Sequence, residues 1–528
     1  MPSKNPILVL VPPVVLLFVL GFEVIPWLPR RSRQDFVWAV LSWGSAVLWI
    51  LTLWWALHHL TFQLVALIPR RSRPAAKPPA NPVRVMVLYP TCDDFLPGCC
   101  RSCVEQEYPP NAFRVVVCDD SETPIFRDAV DQFCAPRPAV CCVRRPDRGG
   151  HKAGNLNHAF KAVAAELWDW VLIVDADQLL PPTFLAELAP VLAAQPPGVA
   201  FVQAGREPLP ETSPDGTTNP FQRALQAEIL LFFERDMACR PGFGLLPFLG
   251  HGGAVRTAAW KELDGFPPVV SEDYAFSLAA RERGLWGERV DEVRSAEGFP
   301  QDFGAFVVRV GKFAAGAGEL WLRLPRFWLS GASLTEKWDL LMLLGTYALV
   351  PLVLVNLVVS AYLCHVLWAE ALPVLPPRLP YLFLGMFLLS LSVVVSVAPS
   401  WGQAVRLRFW AQAVYGAALP VMAWGFVRSL VRRPGFHRTP KAAGSSPKLR
   451  FTGALVCAGG LAGLGAACVW WSPFSPILAA ATGAQALFPV CQWLHEDSVR
   501  GRVIRQLIYL PGVSFLVGMV WMWFWATS

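Results

Sequence analysis

The feature that most constrains this chain is a series of long, nearly uncharged apolar runs, interrupted once by a long stretch of mixed composition. The runs are Ile7–Leu28, Phe36–Leu57, Leu340–Leu363, Tyr381–Pro399, Phe451–Trp471, Ile477–Leu494 and Ile504–Ala526. About 20 apolar residues cross the hydrocarbon core of a bilayer as a helix, which satisfies its backbone polar groups internally. The first run is too long for the core of a signal peptide and no small-residue cleavage site follows it, so it reads as a spanning helix. An eighth run, Phe409–Val427, is flanked by Arg406, Arg408, Arg428, Arg432 and Arg433, and either spans or lies in the interface. Charged residues make up 16% of the chain, against about 25% in soluble proteins. The formal charge of +7 suits basic loops beside anionic lipid better than a nucleic-acid groove.

Between Pro69 and Lys337 the composition becomes mixed. The apolar strings RVMVLYP (84–90), FRVVVCDD (113–120) and WVLIVDAD (170–177) end in or lead into polar residues. Buried parallel strands look like this, with function at their carboxyl ends. Helical stretches between them imply a doubly wound α/β sheet. The fold expected is a polytopic α-helical membrane protein with an inserted cytosolic α/β domain. Its segments are membrane helices in 1–68, the α/β domain in 69–337, membrane helices in 338–400, an interfacial helix and loop in 401–450, and membrane helices in 451–528.

Orientation follows from basic residues. Seven Lys/Arg and no acid lie between Arg428 and Arg450, which places that loop in the cytoplasm. If Phe409–Val427 lies in the interface, the α/β domain is cytoplasmic too, the arrangement taken here. Arg30, Arg31 and Arg33 then sit outside, against the charge rule.

The chemistry-bearing strings come next. Asp175 and Asp177, in DAD at a strand end, can both reach one hard cation and through it a diphosphate. Upstream, GGHKAGNLN (149–157) offers glycine-rich backbone, Lys152 and Asn155, a loop suited to phosphates and sugar hydroxyls. Asp119 and Asp120 close another strand. Glu272 and Asp273 open a helix with Ser271 as its N-cap, and serve either chemistry or the helix dipole. Cys100 and Cys103 form one CxxC without a second pair at zinc spacing, so free thiols are expected.

In order, Pro90-Thr91, Asp119-Asp120, KAGNLN, DAD, GHGG (250–253), SED (271–273) and the return to the membrane resemble the processive family 2 glycosyltransferases of the cellulose-synthase-like branch. FHRTPK (436–441) resembles the gating loop of cellulose synthases, through Phe436, Thr439 and Lys441. The resemblance runs from about Arg84 to Lys441. It implies a GT-A-like, Rossmann-type catalytic domain using Mg²⁺ or Mn²⁺ and a nucleotide-sugar, UDP-glucose foremost. Thr91 and Asp119 would contact base and ribose, with Asp93, Asp120 and Asn155 also on the donor. Lys152 would meet the diphosphate, Lys312 would also bind the donor, Asp175 and Asp177 would hold donor and metal, and Asp273, beside Glu272, would be the general base. His251 and Phe313 would face the acceptor.

The sequence also departs from the family. Where the family has QxxRW, this chain has RVGKF (309–313). Lys312 lacks the guanidinium fork and Phe313 lacks the indole N–H. Gln178 stands where cellulose synthases often carry His. Three functions remain open: a β-linked polysaccharide synthase with coupled export, a hexosyltransferase adding one sugar to a lipid or other membrane acceptor, and an inactive membrane scaffold. The implied partners are a nucleotide-sugar donor, a glycan or lipid acceptor and membrane lipids, with no nucleic acid. The implied location is the bacterial inner (plasma) membrane, with the catalytic domain in the cytoplasm.

Overall fold

The computed structural model describes residues 4–19, 36–68, 79, 81–163, 168–210, 212–214, 216–217, 220–369, 379–396 and 400–434. The apolar runs beyond these, and Phe436, Thr439 and Lys441, lie outside the described residues.

The strands are β1 (Val85–Thr91), β2 (Phe113–Asp119), β3 (Val140–Val143), β4 (Trp170–Ile173), β5 (Gln178–Leu179), β6 (Val199–Pro208), β7 (Thr212–Ser213), β8 (Gly216–Thr217), β9 (Gly253–Arg256) and β10 (Trp286–Glu297). Eight of them form one sheet in the order β3-β2-β1-β4-β9-β6-β10-β5, while β7 and β8 pair separately. Every residue of β1 is buried. Its alternate side chains feed two cores, because successive residues of a strand point to opposite faces. Val85, Val87 and Tyr89 join Val115 and Val117 on one face. Met86 and Leu88 join Val116, Val171 and Ile173 on the other. Cys100 and Cys103 are free thiols buried in the first core.

The strands β3, β2, β1 and β4 are parallel, as the sequence implies. The sheet as a whole is mixed, since β9 runs antiparallel to both β4 and β6. Its four residues, GAVR, are too short for periodicity to reveal a strand or its direction. Inserting β9 puts β6 and β10, themselves parallel, beyond β4, and their ends extend the site sideways.

Among the described residues, three helices are long and apolar enough to cross a membrane: Ala39–Val65, Leu334–Asn356 and Val414–Val431. The helix in the first apolar run is Ile7–Val19, 13 residues, and that in Tyr381–Pro399 is Leu379–Val395, 17 residues. The helix Trp401–Val431 packs along Phe303–Trp321, which belongs to the α/β domain. Phe306, Val310 and Ala314 meet Val414, Ala418 and Met422 there. Full burial of a side chain such as Phe306 contributes about 1.5–3 kcal/mol. That contact fixes Arg309, Lys312 and Phe313, on the same helix, against the sheet ends.

Candidate active site

The carboxyl ends of β1, β2 and β4 open onto a cavity of about 1760 Å³. At the end of β1, Thr91 Oγ1 donates to Asp94 Oδ1 at 3.0 Å, and Thr91 lines the cavity. Asp93 does not line it. Its Oδ1 accepts from the backbone N–H groups of Glu122 and Thr123, both at 2.9 Å, and so ties two loops together. Asp119 also lies off the cavity wall. Its carboxylate is buried, accepting from Ser121 N at 2.9 Å and Arg144 Nε at 2.7 Å. Asp120 is the member of that pair on the cavity wall. Arg145 grips it through Nε at 2.9 Å and Nη2 at 2.6 Å, and donates to the carbonyls of Gly149 and His151. Arg145 therefore pins the glycine-rich loop to the strand end.

That loop starts the helix His151–Ala162 and aims Lys152 at β4. Lys152 Nζ donates to Asp175 Oδ1 at 2.6 Å and to the Gly250 carbonyl at 2.9 Å. Burial works against its charge, but Asp175 and Glu272 outweigh burial and raise its pKa, so the ammonium persists. Asn155 lines the cavity, with Nδ2 on the Cys118 carbonyl and a buried Oδ1 that has no partner. Asp175 and Asp177 both line the cavity. Gln178 does not. It is fully buried, accepts from Asp175 N at 3.0 Å and donates to Ser295 Oγ at 3.2 Å, bracing the DAD turn from behind.

The acid pair faces this wall. Glu272 and Asp273 begin the helix Glu272–Glu282. Ser271 occupies the N-cap position but makes no side-chain cap bond. Instead, the Phe303–Trp321 helix comes so close at Gly316 that any Cβ there would collide with Ser271 Oγ. Asp273 Oδ1 accepts from Tyr274 N at 2.8 Å. Gly250, at φ 81°, packs against Asp273. A side chain there would be strained, and its Cβ would lie 2.9 Å from Asp273 Oδ2. Burial, then the neighbouring Asp273 charge, pushes the Glu272 carboxyl up to about 7. Burial also raises Asp273. Lys312, in the same cavity, is lowered by burial against the pull of Glu272 and Asp175. Phe313 is half-exposed there.

Sequence reasoning missed a second charged group on this wall. Arg206 near the end of β6 and Glu297 ending β10 are buried and joined, Nη1 to Oε2, at 2.8 Å. His251 Nε2 lies 3.5 Å from Glu297 Oε1 and 3.9 Å from Asp175 Oδ2. Burial, then Arg206, lowers His251 well below its ordinary value, so the imidazole is neutral. Arg309, from RVGKF, approaches Glu297 Oε1 at 3.6 Å. The signal was available for Arg206, which follows the largely apolar VAFVQAG much as Asp175 follows WVLIV, but not for Glu297, whose strand WGERVDEVRSAE carries charge throughout.

Acidic residues that can hold a cation, with a lysine between them and a buried acid pair, suit nucleotide-diphosphate displacement. The profile of the Glycosyl transferase family group 2 matches residues 170–428. The protein named "Probable glucomannan 4-beta-mannosyltransferase 10" of Arabidopsis thaliana is 27% identical over 225 residues, 41% of this chain and 39% of that one. "Cellulose synthase 1 catalytic subunit [UDP-forming]" of Komagataeibacter xylinus is 27% identical over 240 residues, 42% of this chain and 29% of that one. The chain thus spans well under half the length of these two relatives. A solved mannosyltransferase from Pyrobaculum calidifontis, in complex with GDP-Man and Mn²⁺, aligns with a TM-score of 0.47 and 20% identity, covering 73% of this chain and 99% of that one. With DAD, the Gly250 turn and the acid pair inside the matched region, the chain carries a family 2 glycosyltransferase domain.

Proposed function

We propose that this protein is a membrane-bound inverting hexosyltransferase of GT-A type that draws on a nucleoside-diphosphate hexose. The observation that carries this reading is the convergence on one cavity of Lys152, Asp175 and Asp177 with the buried Glu272–Asp273 pair, Lys152 Nζ lying 2.6 Å from Asp175 Oδ1 and 3.9 Å from Glu272 Oε1. The donor diphosphate lies against Lys152. The acceptor hydroxyl lies beside Asp273 Oδ2, which takes its proton as the oxygen attacks the anomeric carbon. The bond from that carbon to the diphosphate breaks, and the nucleoside diphosphate leaves with its charge met by Lys152. A raised carboxyl suits a general base working near neutral pH.

The donor set also suits a divalent cation. Asp175 and Asp177 present hard oxygen ligands, and no preassembled group of three or more ligands occurs among the described residues. Two carboxylates that leave coordination positions to substrate phosphates are how Mg²⁺ or Mn²⁺ is usually held. Such an ion would neutralise charge on the diphosphate.

The cavity also runs beyond the sheet ends, past Trp55 and His59 on one candidate span, Tyr347 and Val350 on a second, and Tyr415 and Leu419 on the third. A continuous path from base to apolar helices supports an elongating β-linked glycan with coupled export. The Lys312 and Phe313 departures favour a second reading, single transfer to a membrane acceptor. The relatives' names put gluco- and manno-configured donors first, so UDP-glucose and GDP-mannose head the panel. The test is labelled-sugar transfer by membranes holding wild type or Asp273→Asn. Transfer should vanish in the variant while donor binding persists. A ladder of products supports elongation and a single small lipid-linked product supports the second reading. Loss of donor binding in Asp273→Asn overturns the base assignment.

A further inference from the structure

We propose that Glu297, with Arg309 and His251 around it, forms the subsite that reads the hydroxyl groups of the transferred hexose. This rests on the cavity being the donor site, as above. The sheet order places each part. Thr91, Asp120 and Arg145 cluster at the β1–β2 flank, Lys152 meets Asp175 after β4, and Arg206 and Glu297 lie at the ends of β6 and β10 beyond it. A nucleoside on the first flank and a diphosphate at Lys152 leave the sugar ring to the β6–β10 side. Backbone pairing fixes Glu297 next to DAD. It stands opposite Gln178, and Gly298 N donates to the Asp177 carbonyl at 3.1 Å.

The hydrogen bonds around Glu297 are incomplete in a way that suits a diol. Arg206 holds Oε2 at 2.8 Å. The other oxygen, Oε1, has His251 Nε2 at 3.5 Å and Arg309 Nη2 at 3.6 Å. Both distances exceed the 2.7–3.2 Å of a good N–H···O bond. His251 Nδ1 and Arg206 Nε are buried with no partner. A hydroxyl both donates and accepts, so one on a carboxylate oxygen can also receive an N–H beside it. Adjacent hydroxyls of a pyranose would close these gaps together. Arg309 is already oriented for it, its guanidinium lying 5.2 Å from the Phe299 ring and 5.4 Å from the Phe313 ring.

This accounts for one departure from the family motif. Arg309 replaces Gln beside a buried carboxylate, so the extra cation is balanced by Glu297. The pair then makes a charge-assisted contact with neutral sugar hydroxyls, where Gln makes a neutral one.

The experiment measures binding of the nucleoside diphosphates UDP and GDP, and of UDP-glucose and GDP-mannose, to full-length wild type, Glu297→Gln, Arg309→Gln and the double variant in detergent. Acceptor-free donor hydrolysis is followed alongside. The expected result is a nucleotide-hexose affinity lowered about 10- to 100-fold in each single variant, with nucleoside-diphosphate affinity within about threefold and a double variant little worse than either single. Arg309→Gln keeps the test open if Glu297→Gln fails to fold, since the Arg309 contact to Glu297 is a long one, 3.6 Å, and Arg206 still holds that carboxylate. An equal loss for diphosphate and nucleotide-hexose overturns the subsite. So does an effect confined to the acceptor KM. If wild type binds no nucleotide at all, the donor-site reading falls and takes the subsite with it.

Discussion

Two buried clusters of charge in this molecule are built from the same residue types and used oppositely. At the junction of the α/β domain with two apolar helices, the carboxylate oxygens of Asp339 and Asp236 are all engaged. Asp339 accepts from Arg240, His58 and the Leu245 N–H, and Asp236 accepts from Arg240 Nη2 at 2.9 Å and His59 Nδ1 at 2.8 Å. In the cavity at the sheet ends, by contrast, Asp273 has a bond to Oδ1 while Oδ2 faces Gly250, and Glu297 Oε1 has two donors just out of reach. A buried carboxylate whose oxygens are all bonded holds elements together, even where it borders the cavity as Asp236 does. One whose bonding is left open to a cavity costs stability and is retained where a ligand completes it.

The largest effect that could break this contrast is at the open cluster. Asp273→Asn should lower transfer by about a hundred- to ten-thousand-fold with little change in melting temperature. Retained transfer, or a large loss of thermal stability, would show that Asp273 belongs with the structural class. At the closed cluster the outcome should reverse. Arg240→Met leaves Asp339 and Asp236 without their shared partner and should cost about 3–5 kcal/mol of stability, read as a lowered melting temperature in detergent. Transfer per folded molecule should stay near wild type, and a specific catalytic loss there would erase the distinction.

A smaller effect sharpens the open side. Asp177→Ala should weaken donor binding in Mn²⁺ or Mg²⁺ at least about tenfold and little in chelator. An unchanged metal dependence removes DAD from cation binding.

The smallest effect is in pH. Burial raises both acids of the pair, Glu272 to about 7. Transfer needs Asp273 unprotonated, so activity should fall as pH drops through a range above that of ordinary carboxylates. Glu272→Gln removes a neighbouring negative charge and makes the Asp273 anion easier to form. The acid limb should then move to lower pH. A limb that stays in place, or moves up, would mean the two acids do not titrate together.

The sequence by itself determined the parts whose physics is local. Continuous apolar strings specify the buried strands β1, β2 and β4, and long uncharged runs specify helices of membrane-crossing length. KAGNLN, DAD and SED each place polar side chains on the cavity wall from within a few adjacent residues. Only the tertiary structure decided what depends on pairing across distance. It turned Asp119 and Gln178 inward as braces, put Asp120 on the cavity wall, inserted β9 antiparallel, and joined Arg206 to Glu297 across 91 residues. Strand direction and ion-pair partners are set by which ends the sheet brings side by side. No local periodicity encodes that, because a charge at a strand end has the same neighbours in sequence whether it faces a ligand or another side chain.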